Sequence, residues 1–214
     1  MRETIRRWYP AALLAVALLL SALAYPHLPA RVATHWGLDG EADRWSSPLR
    51  AALLAPAFIA GLWAFLRMLP RIDPRGRNYA RFPAAYDVTV NATLSMVGVM
   101  HAATLAIALG WPISITRLVC ATLGVLLLVV GNVMPRARPN FFVGVRTPWT
   151  LSSDRVWERT HRVAGYLFVA AGAVTLLAAA LPPRWAVSTL LAAVSTAVLS
   201  SAIYSYVLWS RGAR

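Results

Sequence analysis

Six long stretches without a charged side chain dominate this sequence, and they leave little room for any fold other than a membrane bundle. The uncharged runs cover residues 8–30, 51–66, 88–116, 118–135, 163–183 and 185–210. A helix needs about 20 apolar residues to cross a hydrocarbon core that is roughly 30 Å thick. With 58% hydrophobic residues and a mean hydropathy of +0.57, the chain is too apolar for a water-soluble domain.

These runs predict an all-α, polytopic membrane protein with six transmembrane helices. The helices are expected at residues 9–26, 49–69, 86–109, 113–134, 162–181 and 185–209. No segment between the runs exceeds about 30 residues, which is too short to bury a core of its own. We therefore expect a single membrane domain over residues 1–214. Residues 1–70 would hold the first two helices and a long external loop between them. Residues 71–214 would hold the other four helices and a long cytoplasmic loop at residues 135–161, which we call the signature loop.

All 21 basic residues are arginine, and their distribution predicts the orientation of the helices. Sixteen flank the helix ends on the side of the two termini: Arg2, Arg6, Arg7, Arg67, Arg71, Arg75, Arg77, Arg81, Arg136, Arg138, Arg146, Arg155, Arg159, Arg162, Arg211 and Arg214. Five flank the opposite ends: Arg31, Arg44, Arg50, Arg117 and Arg184. Because arginine-rich loops stay in the cytoplasm, both termini are expected inside the cell.

The net charge of +13 would suggest nucleic acid as a partner if the protein were soluble. In this chain the arginines lie next to helix ends, where anionic headgroups of the lipid bilayer are the expected counterions, so no direct binding of nucleic acid is predicted. Residues 1–24 also have features of a signal peptide, but the apolar run continues past the candidate cleavage site. The single cysteine, Cys120, excludes an intrachain disulfide.

The first external loop is the longest connection on its side and is rich in aromatic and polar residues. Its candidate binding residues are His35, Trp36, Gly37, Asp39, Gly40 and Trp45. Gly37 and Gly40 flank Asp39 in a pattern typical of a turn, since glycine supplies positive φ without steric cost. The spacing of the histidines and acids matches no zinc-site pattern, so no metal and no cofactor are predicted. We expect a local turn in which Asp39 and the backbone satisfy His35 and Trp36.

Two polar residues, Asn91 and His101, lie deep in the third predicted helix, where polar groups are costly unless they have partners. His101 is expected in the outer half of the bilayer. Both residues could bond to neighbouring helices. Alternatively they could line a cavity of a small-solute or lipid transporter, or of another lipid-handling protein.

The connection at 135–161 is dense in arginine, proline and aromatic residues and is the leading candidate for a functional site. Its candidate residues, with the residue that closes the preceding helix, are Asn132, Arg138, Pro139, Asn140, Gly144, Arg146, Thr147, Pro148, Trp149, Thr150, Trp157 and His161. Gly144 permits a sharp bend, and Arg146 offers a planar fork for a phosphate or carboxylate. Ser152, Ser153 and Asp154 are residue types that open a helix.

Within that helix, Trp157 and His161 fall on one stripe, and Glu158 is placed to pair with Arg162. The connection could equally be a clasp that seals the cytoplasmic face. The chain contains no nucleophile elbow, phosphate-binding glycine loop or metalloprotease motif, so an enzyme is not predicted.

Several of these motifs together resemble the signature of the SdpI/YfhL family of bacterial immunity proteins. They are Gly131-Asn132, Arg138-Pro139-Asn140, the run Gly144-Val145-Arg146-Thr147-Pro148-Trp149-Thr150, Val156-Trp157 and Thr160-His161. The external loop, with Pro29, His35-Trp36-Gly37, Asp39-Gly40 and Trp45, is similar to a small N-terminal module often joined to that signature.

This resemblance implies a bacterial plasma-membrane protein that gives resistance to a secreted antimicrobial peptide, the toxin. It also implies signal transduction, in which a small repressor protein is held at the membrane once the toxin is present. Our hypothesis is that such a regulator docks at the cytoplasmic loop through Arg146, Trp149 and Trp157. Two competing hypotheses from other classes are the transporter or lipid-handling protein described above and a membrane enzyme that uses the cytoplasmic loop on a lipid.

Overall fold

A computed structural model describes residues 2–212 and is built from long helices, with one small sheet. The helices are α1 Arg2–Ala24, α2 Pro48–Ile72, α3 Pro83–Ala108, α4 Ile115–Val133, α5 Pro148–Ser152, α6 Asp154–Ala178 and α7 Pro183–Ser210. The strands are β1 Val32–Trp36 and β2 Ala42–Ser46.

Within the described residues, six helices are long and apolar enough to cross a membrane, as the sequence predicts. These are all the helices except α5, which has five residues. The fifth span begins earlier than its apolar run, because Ser153 caps α6 by accepting a hydrogen bond from the backbone N–H of Val156. Pro83 similarly opens α3 in its first turn, where a proline costs no hydrogen bond.

Successive spans run in opposite directions, so the bundle has two distinct ends. We call the end that holds residues 73–82 and 134–153 the basic end, and the end that holds the two strands the hairpin end. By this topology, the predicted arginines within the described residues fall at the basic end. Arg214 and the side chain of Arg2 lie outside the described residues.

The external loop folds into an antiparallel hairpin, which the sequence analysis did not predict. Val32 pairs with Ser46 and Trp36 pairs with Ala42, with irregular register between them. The predicted glycine turn is present: Gly40 has φ of +86°, and its N–H donates to the carbonyl of Gly37 at 3.0 Å. The hairpin lies on the bundle, since Val32 is only 1% exposed and Gly40 lies beside the hydroxyl of Thr116 in α4.

Helices α4 and α6 cross in unusually close contact through two pairs of glycines. A Cβ on Gly172 would lie 2.7 Å from the carbonyl oxygen of Gly124, and one on Gly165 would lie 2.8 Å from that of Gly131. Each pair is reciprocal, because a Cβ on the partner glycine would meet the same opposite backbone. The seven-residue spacing in both helices keeps the glycines on one seam. Small residues that let backbones approach are a main means of helix association in lipid.

The largest buried cluster lies near the basic end, where α1, α2, α3 and α6 meet residues 73–82. It includes Ile59, Leu94 and Trp157, each fully buried. Tyr79 and Tyr86 pack edge to face there, with ring centroids 4.9 Å apart. The largest buried cluster of the protein therefore lies beneath residues 135–161, the segment that is predicted from the sequence to be functional.

We predict that Gly172→Ala destabilises the protein, because its new methyl group would meet the α4 backbone. Overpacking of this kind costs about 1–3 kcal/mol. The matched control is Gly61→Ala in α2, where a Cβ meets nothing within 4 Å. Thermal unfolding of the purified protein in detergent should show a lower midpoint for Gly172→Ala and an unchanged or higher one for Gly61→Ala. Equal midpoints would contradict a close α4–α6 seam.

Candidate functional site

The signature loop at 135–161 is a folded unit whose first half is organised around Asn140. This side chain is fully buried, and its Oδ1 accepts hydrogen bonds from the backbone N–H groups of Phe142 (3.0 Å) and Val143 (2.7 Å). Its Nδ2 donates to the carbonyls of Arg138 (2.8 Å) and Val143 (3.0 Å). The side-chain amide of Asn140 thus provides hydrogen-bond partners for four backbone groups of an irregular turn. Backbone groups that are shielded from water need such partners.

A second organising residue, Asp73, comes from the connection between α2 and α3. It is 6% exposed, and its carboxylate accepts from the N–H of Phe141 (2.9 Å), the N–H of Arg75 (2.7 Å) and the hydroxyl of Tyr79 (3.0 Å). Burial raises the pKa of Tyr79, and the hydrogen bond to Asp73 raises it further, so this phenol remains a donor. The sequence analysis did not select Asp73 or Tyr79.

Trp157 and His161, which share one stripe of α6, form the floor of the loop and are both fully buried. Their rings stack with centroids 3.9 Å apart, and the indole N–H donates to the carbonyl of Ala137 at 2.9 Å. The Nδ1 of His161 lies 2.9 Å from the carbonyl of Trp157, which can only accept. The Nε2 atom, 3.1 Å from the N–H of Val145, must therefore accept, and this fixes one neutral tautomer.

The bend at Gly144 is required by this histidine. Gly144 has φ of +110°, a conformation that side chains rarely adopt, and a Cβ there would collide with the Nε2 of His161. The sequence predicted a bend at Gly144 and placed His161 on one helix stripe with Trp157, and in the structure Gly144 lies against the ring of His161.

The second half of the loop is the short helix α5, which Thr147 and Thr150 cap reciprocally. The hydroxyl of Thr147 accepts from the N–H of Thr150 at 3.2 Å, and the hydroxyl of Thr150 accepts from the N–H of Thr147 at 2.9 Å. Thr147 also bonds to Ser205 of α7 at 3.0 Å, and the ring of Trp149 packs against Tyr206 with centroids 5.0 Å apart. The loop is therefore docked onto α7.

The remaining signature residues face outward or support the turn. Arg146 is exposed, and its guanidinium donates to the carbonyl of Phe141 at 3.0 Å. Arg138 forms an ion pair with Glu158 at 2.7 Å, so the predicted pairing of Glu158 with Arg162 is replaced by one with the loop.

Pro148 is exposed, Pro139 is buried with its carbonyl accepting from Asn78 at 2.7 Å, and Asn132 is exposed on α4. On the outer surface of the loop, the guanidinium of Arg146 is exposed and bonded to the carbonyl of Phe141, and Trp149, three residues later, is half-buried.

At the hairpin end, His35 and Asp43 face each other across the two strands. The Nδ1 of His35 lies 2.6 Å from a carboxylate oxygen of Asp43, whereas Asp39 accepts from the backbone N–H of Glu41 at 3.1 Å. The partner of His35 is therefore Asp43 rather than the predicted Asp39, because cross-strand neighbours meet in a hairpin. Trp45 is exposed, with the guanidinium of Arg31 5.7 Å from its ring centroid.

Trp36 and Gly37 line one of two apolar cavities beneath this hairpin. One cavity of about 310 Å³ lies between α2 and α3, and another of about 400 Å³ lies among α3, α4 and α7. Thr34, Met100 and Thr104 line both cavities.

His101 lies in the wall of the smaller cavity and is 3% exposed. Its Nε2 is 2.9 Å from the hydroxyl of Ser21, which itself lies 2.6 Å from the carbonyl of Ala52. His101 thus joins α1, α2 and α3 near the hairpin end. Asn91 donates to the carbonyl of Arg6 at 3.1 Å, at the opposite end of α1. The two polar residues serve different helix contacts and do not share one site.

Asp73, Tyr79 and Ser21 were not predicted from the sequence, because each has a partner that lies far along the chain, namely Phe141, Asn140 and His101 respectively. Asp73 carried one usable signal: it begins a turn at Asp73-Pro74-Arg75-Gly76, in which the N–H of Gly76 donates to its carbonyl at 2.8 Å. An acidic residue at the end of an arginine-rich helix could have been selected on that basis.

These features define the class: a multi-pass membrane protein with a hydrogen-bonded loop at one end and a hairpin over apolar cavities at the other. Residues 136–208 match the model of the SdpI/YfhL protein family, and residues 12–60 match a domain of unknown function (DUF1648). The predicted relationship to the SdpI/YfhL family is therefore confirmed, and residues 136–208 form the SdpI/YfhL part of the chain.

The chain is also 24% identical to the immunity protein SdpI of Bacillus subtilis (strain 168) over 191 residues, which is 89% of each chain. No solved structure matches the chain. The similarity and the six apolar helices together make this a multi-pass protein of the bacterial membrane.

We predict that Asn140→Ala unfolds the first half of the loop, because it leaves the partly buried backbone N–H groups of Phe142 and Val143 without their acceptor. Each such loss costs about 1–3 kcal/mol. Limited proteolysis with trypsin should then cleave after Arg146 markedly faster than in the parent protein. Asn132→Ala, which removes the same side chain from an exposed position, is the control and should leave the cleavage rate unchanged. Equal cleavage of Asn140→Ala and the parent would contradict the organising role of Asn140.

Proposed function

We propose that this protein is an immunity and receptor-like protein that gives its host resistance to a secreted antimicrobial peptide. Both termini and the signature loop lie in the cytoplasm, and the hairpin faces outward. The protein acts by binding rather than by catalysis. The observation that carries this proposal is the similarity to an immunity protein along 89% of each chain, so that it includes both the hairpin end and the basic end.

The distribution of charge supports the orientation. The basic end holds sixteen arginines against Glu3, Asp73, Asp87, Asp154 and Glu158, which gives 16 − 5 = +11. The hairpin end holds five arginines against Asp39, Glu41 and Asp43, which gives 5 − 3 = +2. Loops with an excess of arginine remain in the cytoplasm during insertion.

The contacts of α7 supply a route between the two ends. Val187 and Leu190 of α7 line the larger cavity beneath the hairpin, while Ser205 and Tyr206 contact the signature loop. A ligand can shift an equilibrium only by its differential affinity for two states. A peptide that displaces the outer end of α7 would change the docking of α5 at the inner end, and a cytoplasmic regulator such as a small repressor would read that change at Arg146 and Trp149.

The transporter alternative is not favoured. His101 is used in a bond to Ser21, and Asn91 is used in a bond to the backbone of α1 near its start, so the two do not converge on a solute.

The direct test is protection. A sensitive strain that expresses this protein should survive a challenge with culture supernatant of the native host, whereas the same strain with an empty vector should be killed. Survival is counted as colony-forming units after exposure. Equal killing of the two strains by a supernatant that is active on the sensitive strain would contradict the proposed function.

Arg146→Ala should abolish protection while the amount of protein in the membrane is unchanged, because Arg146 is exposed on the irregular turn of the signature loop and its guanidinium is held there by the carbonyl of Phe141. The matched control is Arg155→Ala, an exposed arginine in the first turn of α6 that should be neutral. Protein amount is measured by immunoblot of the membrane fraction. Survival of Arg146→Ala cells equal to the parent would remove this residue from the proposed regulator site.

A further inference from the structure

An open polar groove of about 570 Å³ lies at the basic end, along the connection between α2 and α3. Arg71 in the last turn of α2 lines it, together with Asp73, Arg75 and Arg77. Asp154, in the first turn of α6, lines it from another helix. The groove is separate from the apolar cavities beneath the hairpin, which lie at the opposite end of the bundle.

Both carboxylates of the groove already have partners. Asp73 accepts hydrogen bonds from the N–H groups of Phe141 and Arg75 and from the hydroxyl of Tyr79. A carboxylate oxygen of Asp154 lies 3.4 Å from the guanidinium of Arg75, and the side chain of Asp154 is 74% exposed. An ion pair that is open to solvent is weak, so an anion in the groove can compete with Asp154 for this guanidinium.

The arginines of the groove are arranged to bind an anion. Arg75 is held in place, because its guanidinium donates to the carbonyl of Leu151 at 3.0 Å and lies 5.8 Å from the ring centroid of Phe141. Arg71 and Arg77 are exposed and form no ion pair with any residue that the structure describes. Three arginines against two aspartates give the groove a formal charge of 3 − 2 = +1. The planar fork of a guanidinium matches the geometry of a phosphate group.

The groove also borders a lipid-facing stripe of α2. Phe65, Met68 and Ile72 are exposed and share one face of the helix, since they fall at i, i+3 and i+7. Exposed apolar side chains on a helix that crosses a membrane contact acyl chains. Because Arg71 is the neighbour of Ile72, this stripe ends beside the groove. A polar groove at the end of an apolar stripe has the form of a site for a lipid headgroup.

We propose that the groove binds the phosphate group of an anionic phospholipid, whose acyl chains lie along the exposed stripe of α2. Arg71 and Arg77 donate to the phosphate oxygens, and Arg75 joins them when the phosphate displaces Asp154. The start of α6 adds to the attraction, because the positive end of the helix dipole favours an anion. This site does not depend on the proposed immunity function.

Binding of short-chain lipids to the purified protein in a neutral detergent tests the proposal. Dioctanoyl phosphatidylglycerol should raise the thermal unfolding midpoint of the parent protein saturably, and the zwitterionic dioctanoyl phosphatidylcholine should raise it far less. The double variant Arg71→Gln/Arg77→Gln should weaken the apparent affinity for phosphatidylglycerol about tenfold, since the loss of a charge-assisted hydrogen bond has an effect of this order.

The matched control is Arg155→Gln/Arg159→Gln, which removes the same charge from two exposed positions of α6 that do not line the groove. The control should bind phosphatidylglycerol like the parent. Equal weakening in the two double variants would show a diffuse attraction of arginines to headgroups and would overturn the proposed site.

A second arm separates a lipid headgroup from free phosphate. Inorganic phosphate is titrated in place of the lipid and should stabilise the parent only at much higher concentrations, because it lacks the acyl chains that contact α2. Stabilisation by inorganic phosphate with the same apparent affinity would assign the groove to a soluble phosphate and overturn the lipid as its ligand.

A variant that gains affinity covers the case in which the arginine double variant does not fold. Asp154→Asn frees the guanidinium of Arg75 and removes a repelling charge, so it should bind phosphatidylglycerol several-fold more tightly than the parent. The matched control Glu158→Gln removes a carboxylate one turn later in α6, where it pairs with Arg138, and should leave the affinity unchanged. A gain in both variants or in neither would contradict the site.

Discussion

The close crossing of α4 and α6 is the constraint on which the basic end depends. Gly131 and Gly165 let the two backbones approach, and the same approach brings the end of α4 against the start of α6. A Cβ on Gly165 would also meet the ring of Pro135 at 3.0 Å, so the seam continues into the loop. With its two anchors this close, the chain between them must fold back over the bundle. The compact signature loop is a consequence of the helix packing.

The loop remains ordered because its polar backbone finds partners within the protein. Asn140, Asp73 and His161 each supply acceptors for backbone N–H groups that a regular helix would have satisfied. These hydrogen bonds favour one conformation of the loop, because any other conformation would leave a donor or an acceptor without its partner, which costs free energy. The loop is docked on α7 through Thr147 and Trp149, so a displacement of α7 would change the surface that the loop exposes. The hairpin end differs, because there a two-stranded sheet lies next to apolar pockets among the helices.

The six long helices could be predicted from the sequence, because a helix that crosses a bilayer needs a long apolar run. The helix start near Ser153 and the bend at Gly144 could be predicted because they depend on local backbone preferences of serine and glycine. The hairpin was not predicted, since its strands are short and irregular in register. The role of Asp73 was not predictable, because its partner Phe141 lies 68 residues away. From its four-residue spacing, Arg162 of the same helix was predicted to pair with Glu158. In the structure Glu158 pairs with Arg138, which lies 20 residues before it in the loop.

The proposed function requires a hairpin outside the cell and a signature loop inside it, and thiol labelling tests this orientation directly. With Cys120 replaced by alanine, Leu38→Cys places a thiol at the hairpin tip, where the native side chain is 70% exposed, and Ser152→Cys places one at the exposed end of α5. A membrane-impermeant maleimide should label Leu38→Cys in intact cells and Ser152→Cys only after the membrane is opened. Labelling of Ser152→Cys in intact cells, with Leu38→Cys protected, would contradict the orientation and the function built on it.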